Sequence, residues 1–197
     1  MTKSNINLKD GTLTLIYGLR GQYCSLLGLK LSIGRVKSGK VFLIDIGEYT
    51  SRIPIESFLS DLKMLERIFI TRWSLREANY SIVELQTMLK YGFNMLGLFG
   101  LTESYSKEIS MKAGDRNEVL RLNKIVNWIM GFLKFYSKTL NIPVFVTCEV
   151  EKVGNETRPA ANVLRFWPDN KIWVKSYRRG YLYIYLEDAD IESKVKI

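Results

Sequence analysis

The stretch Leu13-Thr14-Leu15-Ile16-Tyr17-Gly18-Leu19-Arg20-Gly21-Gln22-Tyr23-Cys24-Ser25-Leu26-Leu27 constrains the chain more than any other. A β-prone apolar run ends at Gly18, Gly21 follows, and an apolar run with helical spacing begins at Cys24. This is the strand–loop–helix layout of a phosphate-binding loop, G-x-x-x-x-G-K-[ST]. Laid on that pattern, Gly18 takes the first glycine and Ser25 the final hydroxyl. Tyr23 stands where the second glycine belongs and Cys24 where the lysine belongs. Such a loop works because glycines let successive N–H groups curl round phosphates while a lysine adds positive charge. Tyrosine crowds that space, and a thiol brings no positive charge. Ser25 alone could offer a hydroxyl to magnesium. Two readings stay open: a phosphate-loop scaffold whose nucleotide site has decayed, with Tyr23 filling the vacated space, or an ordinary strand-to-helix turn.

Downstream, strands alternate with helices. Val41 to Ile46 is a continuous apolar run, as in a strand covered on both faces of a parallel sheet. The spacing predicts helices over 54–65, from Ser74 to Tyr91 and over 117–140. Ser74 with Glu77 forms a capping box for the second, and the third carries one broad apolar stripe. Strands are predicted over 67–72, 93–99 and 144–148. At the end of the chain, 171–175 and 181–187 read as an antiparallel pair joined by a basic turn. The expected fold class is α/β: a mostly parallel sheet with helices on both faces and antiparallel C-terminal edge strands. With 197 residues, residues 11–197 form one expected domain after a polar tail over 1–10.

A net charge of +9 points to an anionic partner. The absence of histidine removes the commonest metal ligand and general base. Cys24 and Cys148 are too few for a disulfide framework. No apolar N-terminal leader and no run long enough to span a bilayer is evident, so a soluble cytoplasmic protein is expected. No metal and no cofactor is expected.

Taken in order, these stretches resemble the core ATPase domain of the RecA superfamily, particularly archaeal RadA recombinase and its RadB and RadC paralogues. Leu13 to Gly21 resembles the strand and glycine turn before the Walker A lysine. Val41 to Tyr49 resembles the family strand ending Ile-Asp-Thr-Glu-Gly-Phe. Leu140 to Val150 is similar to its Asn-Ile-Pro-Val-Val-Val-Thr-Asn-Gln-Val segment, and Arg158 to Leu164 to its Pro-x-Gly-Gly-Asn-Ile-Leu segment. The likeness spans about residues 11 to 190 and implies a RecA-like fold. It also implies where the chain departs. Phe99 falls at the Walker B aspartate, Gly47 at the catalytic glutamate with Glu48 one residue late, and Glu149 at the γ-phosphate-sensing glutamine. A shifted register would instead leave Glu48 or Glu103 as the carboxylate. The degenerate nucleotide site would thus comprise Gly18, Gly21, Tyr23, Cys24, Ser25, Glu48, Phe99 and Glu149, and no ATP turnover is expected.

The same resemblance places two DNA-contacting loops. One runs over 104–116 with Lys107, Lys112 and Arg116, the other over 151–162 with Lys152 and Arg158. Arg165, Arg178 and Arg179 add charge near aromatic residues, the combination that phosphate attraction and base stacking require. The implied function is a non-hydrolysing recombinase paralogue, an accessory factor in homologous recombination and DNA repair. It would bind single-stranded DNA, a protein partner or both, the partner being the recombinase, another paralogue or a SWIM-type zinc protein, in a hetero-oligomer. The family's N-terminal helical domain and Phe-x-x-Ala linker have no counterpart here, so no self-built filament is expected. The alternatives are a weak ATP-binding regulator of the RecA family and a purely structural subunit of a repair complex.

Overall fold

The apolar run after Val41 is buried on both faces because it is an interior strand of a parallel sheet covered by helices on both sides. Strand β2 (Lys40–Asp45) lies between β3 (Ile68–Arg72) and β4 (Phe93–Phe99), parallel to both. The structure, a computed structural model, describes residues 6–197 apart from 54, 59–61, 112–114, 154–155 and 160–161. Side chains at 52, 56, 57, 62, 151–153, 156–159, 162 and 163 also lie outside the description.

Strand β1 (Leu13–Gly18) is buried throughout and parallel to β5 (Val144–Val153) and β7 (Asn170–Arg178). The sheet order is β3-β2-β4-β5-β1-β7-β8-β9, where β8 (Tyr181–Leu186) and β9 (Ile191–Lys196) are antiparallel. Strand β6 (Glu156–Pro159) folds back on the far end of β5 as a hairpin.

Helix α1 (Gly21–Val36) covers one face, where Leu27 and Val36 pack with Ile16, Leu43, Met95, Phe99 and Phe145. Helices α2 (Leu75–Leu89), α3 (Leu101–Met111) and α4 (Arg116–Leu140) cover the other, over Leu15, Ile44, Leu98 and Val146. The ends of these helices obey local chemistry. Ser74 accepts from Glu77 N at 3.2 Å while Glu77 accepts from Ser74 N at 2.6 Å, closing the capping box. Asp115 caps α4 through the amides of Asn117 and Glu118, and Asn141 ends it in the left-handed region before Pro143.

Three expectations need correction. The helix read over 54–65 is instead a pair of 3-10 turns, Ile55–Phe58 and Leu62–Arg67, among the described residues. The loop expected over 104–116 is largely helix α3, whose Leu101, Tyr105 and Ile109 recur every four residues and pack on the core. The loop expected over 151–162 is largely the β5–β6 hairpin, with Glu151 opposite Arg158 and Lys152 opposite Thr157. A third antiparallel strand, β9, was not read from the sequence; its Ser193 and Val195 turn inward while charged residues alternate with them.

Candidate functional site

In an α/β sheet of this kind, ligand sites gather at the carboxyl ends of the strands. Here the end of β1 leads into α1 through only two residues, Leu19 and Arg20. The helix therefore starts two residues before Tyr23. The amides of Tyr23 and Cys24 bond back to the carbonyl of Arg20, at 3.0 and 3.4 Å. Gly21 N, the free donor at the head of the helix, points at Glu149 Oε1, 3.2 Å away. A helix N-terminus attracts an anion because its unpaired amides and dipole are positive. In this chain the anion is a carboxylate of the protein itself.

Gly18 packs against backbone, and Gly21 against the far ends of two side chains. A Cβ on Gly18 would lie 2.6 Å from the Val174 carbonyl oxygen, and one on Gly21 would collide with Glu103 and sit 2.5 Å from Tyr49 Oη. The space above Gly21 is thus occupied by Tyr49 and Glu103, which are themselves joined: Tyr49 Oη donates to Glu103 Oε1 at 2.8 Å. Thr102 hydroxyl lies 3.1 Å from Glu103 Oε2 and accepts from Glu149 N at 2.8 Å. Asp45 holds Tyr49 in place by accepting from the amides of Tyr49 and Thr50, at 3.0 and 2.7 Å.

The electrostatics follow from burial. Burial raises the Glu103 carboxyl above the usual glutamate range, against the opposing pull of the Tyr49 hydrogen bond. Burial, then the Glu103 charge, pushes the Tyr49 phenol far upward. The Cys24 thiol is raised by complete burial and by Glu103 and Glu149, so it is neutral at any physiological pH. Cys148 is raised in the same way, by burial first and then by Cys24. This end of the sheet offers an anion two carboxylates, a phenol and buried thiols where a phosphate needs cations.

The remaining residues read as nucleotide-site positions fall as follows. Ser25 is fully buried, its hydroxyl 3.5 Å from that of Thr147. Phe99 lies beneath α1, edge-on to Phe145 with centroids 5.3 Å apart and against Gly28. Gly47 is needed because Gly100 Cα would lie 2.8 Å from a Cβ there. Glu48 is exposed, takes φ of 58°, and faces a separate cleft of about 450 Å³ with Arg72, Lys107 and the start of α2. Tyr23 does not fill a phosphate space: its ring leans on Tyr177 at 5.6 Å, at the surface, under the Arg20 guanidinium. Sequence reasoning missed Tyr49, Thr102 and Thr147 as parts of this network. The one local signal was Asp45-x-x-x-Tyr49-Thr50, an aspartate placed to accept from the next turn.

The candidate DNA-contacting cations are scattered over several elements. Lys107 is exposed on α3 and Arg116 on the first turn of α4, while Lys112 lies outside the described residues. Lys152 and Arg158 belong to the β5–β6 hairpin, and their side chains lie outside the description. Arg165 is exposed on a 3-10 turn, Asn162–Arg165. Arg178 and Arg179 are exposed at the β7–β8 turn, which positive φ at Arg179 and Gly180 makes tight. On the same three strands Lys175 sits over Tyr185 at 5.0 Å and Lys194 over Tyr181 at 5.3 Å. Among the described residues no group of His, Cys, Asp and Glu could hold a metal ion, and no helix is long and apolar enough to cross a membrane.

No family model and no curated protein matches the chain. A solved structure described as the crystal structure of the RadB recombinase does match, with a TM-score of 0.71 at 16% identity. The superposition covers 96% of this chain and 89% of that one. With its parallel core, its helices on both faces and its antiparallel C-terminal strands, the chain has the RecA-like fold.

Proposed function

We propose that this chain is a RecA-like accessory factor of homologous recombination that neither binds nor hydrolyses ATP, and that acts through DNA, a protein partner or both. The protein is read as one RecA-like core over 11–197 behind a short tail over 1–10. The observation that carries this reading is the Glu149 carboxylate at the head of α1. Phosphoryl transfer relies on positioning and on neutralising phosphate charge, with a lysine and a magnesium ion as principal agents. The residues present do not fit that group. Cys24 is neutral and sealed, Phe99 supplies hydrocarbon, and Glu149 and Glu103 would repel the phosphates that α1 would otherwise draw in. Likeness to a RadB recombinase supports a role in recombination or repair, and the net charge of +9 supports a polyanionic partner.

The test is calorimetric titration with ATP and magnesium. The expected result is no heat of binding up to about millimolar nucleotide, corresponding to less than roughly 4 kcal/mol of affinity. Saturable binding at low micromolar concentration would establish the rival reading, a nucleotide-regulated member of the fold. Replacing Glu149 by Gln separates two causes. If the carboxylate alone repels nucleotide, weak binding emerges in Glu149→Gln; if the two-residue connector also matters, none does.

A further inference from the structure

Helix α4 carries two apolar stripes; the core buries one fully and meets the other only through Phe132. Leu122, Val126, Ile129, Leu133 and Tyr136 are buried against the sheet and its neighbouring helices. Trp128, Phe132 and Phe135 recur at i, i+4 and i+7 on another side, where Trp128 is 50% and Phe135 46% exposed. With Asn127, Gly131 and Trp167 they line a cleft of about 360 Å³ with mostly apolar walls. Its rings are held in place. Trp128 and Phe132 meet edge to face at 4.8 Å, and Trp167 Nε1 donates to Asn127 Oδ1 at 2.9 Å. Lys134 holds the other side of Trp167 by donating to its carbonyl at 3.2 Å. Gly131 leaves the floor open to close approach, since even a Cβ there would only touch the Trp167 ring. Phe166 beside the cleft is 83% exposed.

The helix and the turn that form this cleft carry a net positive charge. Helix α4 and the turn through Asp169 bear Arg116, Arg121, Lys124, Lys134, Lys138 and Arg165 against Glu118 and Asp169. Two copies meeting on this face would set like charges against each other, which opposes self-association. Nucleic acid fits poorly too. Lys134 and Lys138 are drawn to Asp169, so Lys124 and Arg165 remain as separate cations, enough for a few carboxylates but not for a run of phosphates. Exposed apolar clefts ringed by charge mark protein interfaces, and an amphipathic helix seats its apolar face in such a groove.

We propose that the α4 cleft docks an amphipathic helix of a partner protein, with bulky apolar side chains along one face and carboxylates flanking them. This deepens the partner half of the proposed function and is independent of the nucleotide reading. The test uses three probes against the full chain: a helix-stapled peptide with Leu and Phe at i, i+4 and i+7 flanked by Glu, the same peptide flanked by Lys, and a thymidine 20-mer. Tryptophan fluorescence and NMR shifts follow binding. The acidic peptide is expected to bind with Kd of about tens of micromolar and the basic one at least about tenfold more weakly. Trp128→Ala should weaken the acidic peptide about thirtyfold, as removal of an aromatic anchor does. Lys124→Glu, a surface change that leaves the core untouched, should weaken it about threefold. The proposal is overturned if neither peptide binds, if both bind alike, or if Trp128→Ala leaves binding unchanged. It is also overturned if Trp128→Ala abolishes binding of the 20-mer, or if the chain alone dimerises and Phe135→Glu makes it monomeric. Binding of the 20-mer by the unaltered chain is scored separately, so loss of the DNA reading and loss of this one are distinct outcomes.

Discussion

Gly21, Tyr49, Glu103 and Glu149 show how the strand-to-helix turn at the end of β1 is closed by the protein's own side chains. Glycine at position 21 admits the phenol and carboxylate that a side chain would displace, and Glu149 meets the amide those groups leave free. The arrangement has a measurable acid–base consequence. The folded Glu103 binds its proton more tightly than the unfolded chain does, because burial disfavours its charge. A carboxyl whose folded pKa is raised contributes stability that is full below its ordinary value of 4.5 and is lost as pH rises through the folded value. The variant Glu103→Gln has no such proton to lose. Its melting temperature should therefore overtake that of the parent as pH is raised from 4.5 towards 8, by about 2–4 °C for a chain of this size. Thermal scans across that range check this; parallel profiles for the two proteins would show that Glu103 is already solvated as a carboxylate in the fold.

At the level of elements, local chemistry and tertiary packing divide the control. Helix α2 is set at its start by the Ser74–Glu77 box, which depends on neighbours three residues apart and on nothing distant. Ser74→Ala removes the oxygen that receives the Glu77 amide, and the melting temperature should drop by about 2–4 °C. Ser74→Asp, which keeps an acceptor there, should restore most of the loss in the same thermal scan. Elements of this kind were legible in the sequence: the buried run of β2, the capping box of α2, the stripe of α4 and the aromatic alternation of β8. Helix α3 was obscured because its Leu101, Tyr105 and Ile109 repeat fell where the family resemblance put a loop. Strand β9 was obscured because three of its six residues are charged, and only pairing with β8 gives its inward Ser193 and Val195 a partner layer. The site was half legible. Cys24, Phe99 and Glu149 stood out as departures from a motif, whereas Tyr49 and Glu103 meet Gly21 only through long-range packing that no spacing encodes.

Over the whole molecule, excess positive charge is a long-range property, and it bears on association more than on the fold. Individual surface cations contribute little, and several here are already engaged: Lys134 with Asp169, Lys175 with Glu192, Arg35 with Asp10. What remains is unevenly placed. Arg178 and Arg179 project from the β7–β8 turn, beyond the Tyr23–Tyr177 ring pair and Arg20, at the edge where the antiparallel strands leave the parallel core. Cations beside exposed rings suit a single strand, whose phosphates they can neutralise while bases stack. If this edge holds DNA, binding of a thymidine oligonucleotide must weaken linearly in log salt, because each neutralised phosphate returns condensed counterions to solution. Each single-strand phosphate contact contributes about 0.7 to that slope, so the double variant Arg178→Ala, Arg179→Ala should flatten it by about 1.4. Fluorescence anisotropy between low and moderate salt measures both slopes. A parent chain that binds no oligonucleotide at low salt would make this a purely structural subunit, and a double variant with an unchanged slope would move the DNA contact to the cations of α3, the start of α4 and the β5–β6 hairpin.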